Sequence, residues 1–204
     1  MTSAVEPAAE HADVRTLVGG GAILGAMTAV GVVAFALLTR VLDGTAALVA
    51  QSLIVLLGAL LAAYLPAILV RPRNVDGIAW AALLGLLGAL TFTVVDTAVL
   101  RPLSVYSWKW DAIGGGSGFW YVSVWWMGSA VLAWLGAWIL AIGHRGNRAP
   151  SVTVAGGTTV ALAAVVFAAL TLSHVVRPGA AIVALAFPIA LLLHLVLSAA
   201  IARR

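Results

Sequence analysis

Residues Gly77–Leu100 read GIAWAALLGLLGALTFTVVDTAVL, 24 consecutive positions carrying one charge, Asp96. At a helical rise of about 1.5 Å per residue, about 20 apolar residues cross the roughly 30 Å hydrocarbon core of a bilayer, so this stretch predicts a transmembrane helix. Five further segments meet the same test: Thr16 to Leu38, Thr45 to Val70, Gly118 to Gly143, Ser151 to Val175 and Gly179 to Ile201. Arg40, Arg71, Arg101, Arg145 and Arg177 stand at or just beyond their ends, and Pro72, Pro102, Pro150 and Pro178 reinforce the breaks, because proline cannot continue a helix without losing a backbone bond. The expected fold is an all-α integral membrane protein: one six-helix transmembrane domain over residues 16–201, after a disordered cytoplasmic tail at 1–15.

Composition agrees. The chain has 204 residues, 63% hydrophobic and 9% charged, with mean hydropathy +1.13. A globule of that composition lacks the polar surface that water requires, and lipid is the solvent that suits it. The absence of cysteine excludes disulfides, thiolate metal sites and cysteine nucleophiles. The net charge of +4 comes from single basic residues at the ends of apolar runs, which marks topology rather than nucleic-acid binding. On one side stand Arg15, Arg71, Arg73, Arg145, Arg148, Arg203 and Arg204, 7 in all; on the other stand Arg40, Arg101, Lys109 and Arg177, 4 in all. The positive-inside rule then predicts both termini in the cytoplasm, and the expected location is the cytoplasmic membrane of a prokaryote.

Helices in lipid associate where small residues let backbones approach, and Gly21, Gly25 and Ala29 in the first segment have that spacing. In Gly77–Leu100, the 100° periodicity groups Ala81, Gly85, Gly88, Ala89 and Phe92 on one side near Asp96. It places Trp80, Leu83, Leu84, Leu87, Leu90 and Val94 opposite, where lipid is expected. A carboxylate at membrane depth is costly and must face the bundle, a partner or water.

Counting from segment ends puts Asp96 about 11 Å, Gln51 about 10 Å and His174 about 16 Å to the outer side of the midplane. Arg101 and Arg177 cap the same side, and a tryptophan-rich outer loop over residues 101–117 leads to Trp120, Tyr121, Trp125 and Trp126. Gln51, Asp96, Arg101, Trp125, His174 and Arg177 are the candidate ligand-binding set, a pocket with aromatic walls for a small, cationic or amphipathic solute. The plainer interpretation makes Asp96 an ion-pair partner of Arg101 or Arg177 and the tryptophans interfacial anchors. His194, about 6 Å to the cytoplasmic side, is a buried polar residue of unassigned role, a proton-relay or quinone contact or a neutral histidine bonded to a neighbouring helix.

No metal or cofactor is expected. A bis-histidine haem needs two imidazoles at like depth, and His174 and His194 differ by roughly 20 Å. A zinc or copper site needs three or four donors together, and Asp96 with His174 supplies two. The Gly114–Gly118 run lacks the lysine of a nucleotide loop and is expected to be a hinge. Adjacent Ser173 and His174 diverge by about 100° on a helix, which argues against a nucleophile and base.

Three functions fit. The first is an accessory or assembly subunit docking on other membrane proteins or on a second copy of itself; the second, a solute-binding or transport component; the third, an enzyme on a lipid-borne substrate with Asp96 and His174 as acid and base. The bilayer is the common partner, and no nucleic acid is expected.

Overall fold

The computed structural model describes residues 13–106, 120–145, 151–173 and 179–203. These form six helices, each long and apolar enough to cross a membrane, with no strand among the described residues. They are α1 Val14–Val41, α2 Gly44–Val70, α3 Val75–Val95, α4 Trp120–Arg145, α5 Val152–Leu172 and α6 Ala180–Ala202. Their bounds follow the expected spans to within a few residues, except that parts of the expected spans at 118–119 and 174–175 lie outside the described residues. The tail at 1–12 and the loop tryptophans Trp108 and Trp110 lie outside them as well.

Local chemistry sets the ends. Asn74 accepts the Gly77 N–H at 2.8 Å and Ser151 the Val154 N–H at 3.3 Å, each satisfying a first-turn donor that has no intrahelical partner. Helix α2 stops at Arg71, which adopts the left-handed conformation with φ 55° and returns its N–H to Ala67 O at 2.9 Å, and the following Pro72 prevents continuation. Helix α3 ends in a single π-turn over Asp96–Leu100, whose widened pitch brings residues i and i+5 into line; the Arg101 N–H reaches Asp96 O at 2.9 Å.

The helices pack as three pairs. α2 and α4 form the middle pair, α1 and α3 cover one side of it, and α6 with α5 outside it cover the other. Two close approaches make this possible. A Cβ on Gly25 would fall 2.7 Å from Gly88 O and 2.5 Å from Thr91 Cβ, so the Gly21-Gly25-Ala29 stripe is the contact between α1 and α3. A Cβ on Gly136 of α4 would fall 2.1 Å from the Ala63 carbonyl oxygen of α2, the shortest such distance among the described glycines.

The expected lipid face of α3 is corrected. Leu84 is fully buried, and Trp80, Leu83 and Leu87 pack with it against Leu17 and Leu24 of α1; Val94 alone of the bulky set is strongly exposed, at 64%. Helix α3 has neighbours on two sides, α1 and α4, so its large and small faces are both covered. The opposite face is buried as expected at Ala81, Gly85, Gly88, Ala89 and Phe92.

Candidate functional site

Asp96 is 1% exposed, and both of its carboxylate oxygens are taken by the chain's own donors. Arg101 Nε donates to Oδ2 at 2.8 Å, a pairing that the π-turn makes possible, and the Tyr106 hydroxyl donates to Oδ1. Arg40, at the end of α1, donates to the carbonyl of Val105 at 2.6 Å and to that of Ser104 at 3.4 Å. The start of the segment that follows α3 is thereby tied to α1 and α3 by two arginines and a phenol. Beneath it, Phe92, Leu100, Val105, Tyr106 and Trp125 share an apolar cluster, with the Phe92 and Trp125 rings 5.4 Å apart and tilted by 45°.

The electrostatics follow from these contacts. Burial pushes the Tyr106 phenol above its ordinary value, and its bond to the Asp96 carboxylate pushes it further; Arg101 opposes both. At Arg101, burial disfavours the charged guanidinium, but its bond with Tyr106 and the charge of Asp96 outweigh that, and its net shift is upward. A carboxylate so occupied, with a donor from the chain on each oxygen, fastens a loop.

Of the six residues expected to form a pocket, the structure brings Asp96 and Arg101 into contact and sets Trp125 in the cluster beneath. Gln51 is half-buried in the first half of α2 and makes no hydrogen bond to another described residue; Ser52 beside it has a buried hydroxyl with no partner among the described residues. His174 and Arg177 lie outside the described residues. Tyr106 and Arg40 were missed by sequence reasoning, although a buried carboxylate, with some four lone-pair positions, demands more than one donor.

A second polar constellation lies in the other half of the bundle. Thr159 of α5 is fully buried, and its Oγ1 stands 2.6 Å from the Tyr64 hydroxyl of α2, 2.8 Å from His194 Nδ1 of α6 and 3.0 Å from Ala155 O. A hydroxyl has one proton and two lone pairs. Donating to Ala155 O, Thr159 can accept from Tyr64 and from a His194 ring protonated at Nδ1, an arrangement that uses its one proton and both lone pairs. His194 is therefore bonded to a neighbouring helix, one of the two roles expected of it, and three helices are pinned at one atom.

No family model, no curated protein and no solved structure matches this chain.

Proposed function

We infer that the chain is an accessory or assembly subunit of a membrane complex that docks another transmembrane helix on α5. The observation that carries this is the outward face of α5. Thr153, Gly157, Ala161, Ala164 and Ala168 are all exposed, and at 100° per residue they fall within about 80° of one another. A Cβ on Gly157 would meet nothing within 4 Å. Of the six spans α5 is the least buried, with 17% of its most apolar stretch inside the fold. Against lipid such a stripe forfeits the dispersion contacts that larger side chains would make, whereas against a second helix it permits close backbone approach. The engagement of Asp96 by Arg101 and Tyr106 also favours this reading over solute binding at that carboxylate.

The setting we propose is a multi-pass protein of a prokaryotic cytoplasmic membrane with both termini inside, supported by the 7 to 4 distribution of basic residues. The test is native mass spectrometry after extraction in mild detergent. A stoichiometric membrane-protein partner or second copy is expected with the wild type. It should be lost in Gly157→Leu/Ala161→Leu and kept in Ala26→Leu, an exposed small position on α1, which packs against α2 and α3. A partner that survives the α5 changes, or a bare monomer throughout, overturns the reading.

A further inference from the structure

Where α2 ends, between the ends of α4 and α5, the surface opens into a groove of about 220 Å³. Its wall is apolar, formed by Ala67, Ile68, Leu140 and Val152, and Arg71 and Arg73 stand at its lip with Pro72 between them. Both arginines are exposed. Among the described residues no acidic side chain lines the groove; the nearest of these in sequence, Asp76, is exposed on the first turn of α3. The groove also lies at the amino-terminal, positive end of α5, which begins at Val152.

The position decides what chemistry fits. Helix ends rich in arginine mark the level of lipid headgroups, and this end carries the larger share of the chain's basic residues. Two guanidiniums above an apolar wall match an anion joined to a hydrocarbon, and arginine is the side chain suited to phosphate oxygens. Ile68, 43% exposed, continues the apolar wall toward the span, where an acyl chain runs. A zwitterionic lipid carries its own cation beside the phosphate and gains less from a doubly positive lip. Basic pockets between transmembrane helices are the usual seats of anionic headgroups.

We propose that the Arg71–Arg73 groove is a binding site for one anionic phospholipid, its phosphate held between the two arginines and its chains laid along Ile68. The site does not depend on the docking role of α5, and its test reads lipid rather than protein partners.

The test uses the full chain in mild detergent, titrated with phosphatidylglycerol or phosphatidylcholine and read by native mass spectrometry. Arg71 is replaced by asparagine, which tolerates the left-handed backbone found there and removes the charge without strain. At about fivefold per arginine, Arg71→Asn/Arg73→Gln should bind phosphatidylglycerol about thirtyfold more weakly, with phosphatidylcholine binding unchanged. Arg73→Gln alone should lose about fivefold, which keeps the test valid if the double variant folds poorly. Arg203→Gln, at the same end of the bundle, should bind as the wild type does. Equal losses in Arg203→Gln, equal binding of the two lipids by the wild type, or displacement of the lipid by inorganic phosphate at comparable concentration would each overturn the proposal. The first would reveal a diffuse charge effect and the last a site for the free anion.

Discussion

Gly136→Ala adds a single methyl group at the crossing of α2 and α4. The added Cβ would lie 2.1 Å from Ala63 O and 2.7 Å from its carbonyl carbon, and the helices would have to separate by about 0.9 Å to bring the nearer contact even to 3.0 Å. Both clashing atoms belong to backbone, so no rotamer can absorb the change. The glycine Cα–H now directed at that carbonyl, a weak hydrogen bond in the form common between closely packed helices, is lost as well. Overpacking of this sort costs up to about 3 kcal/mol, and alanine recovers about 1 kcal/mol of helix propensity, so the net loss should be about 2 kcal/mol. Gly157→Ala supplies the control: with open space around its Cβ, it should match the wild type or gain up to about 1 kcal/mol. The assay is reversible unfolding of the purified protein in a graded mixture of mild detergent and dodecyl sulfate, followed by helical circular dichroism. A Gly136→Ala protein as stable as Gly157→Ala would refute the crossing geometry from which the cost is derived.

Thr159→Val keeps the shape of the hub but leaves the Tyr64 hydroxyl and His194 Nδ1 facing a methyl group. It should cost about 1–3 kcal/mol in the same unfolding assay, whereas Thr159→Ser should stay within about 1 kcal/mol of the wild type; equal stability of the valine and serine variants would mean that the hub holds nothing. The Tyr106 phenol is raised from 10.0, so the neutral form that donates to Asp96 contributes its full stabilisation below that pH, and the contribution fades as pH climbs through the folded value. The tyrosinate absorbance that Tyr106→Phe removes should accordingly titrate at higher pH in the folded protein than in dodecyl sulfate; an unshifted titration would show that the loop is not tied to Asp96.

Much of the fold was legible because membrane spans obey a rule of length and polarity that needs no knowledge of neighbours, and the six helices follow from it. The burial of Asp96 followed from the same reasoning, and Arg101 was one of two partners that its depth allowed. Leu84 was misplaced because a periodicity argument assumes one covered face, and α3 has two. The π-turn leaves no mark in the sequence; without it, residues five apart diverge by about 140° on a helix, so depth allowed the pairing of Asp96 with Arg101 but helical spacing did not select it. Tyr64 and Thr159 meet across 95 positions of chain, between helices whose apolar sequences have no side that announces itself. Contacts of that range depend on how α2, α5 and α6 are arranged, which local pattern does not encode.

The three-pair arrangement carries a consequence for the order of assembly. Helices α1 to α4 close most of their mutual contacts without α5 or α6, and the last two helices touch the bundle through α2 and α4. In a chain that enters the membrane from its amino terminus, the first four spans can therefore gather while the final hairpin is still being made. Until that hairpin arrives, the Tyr64 hydroxyl has no partner in a medium that offers none, and Thr159 and His194 bring one. The hub then acts as a docking hook: it rewards the hairpin for seating at one depth and one rotation, a discrimination that apolar helix surfaces in lipid do not provide.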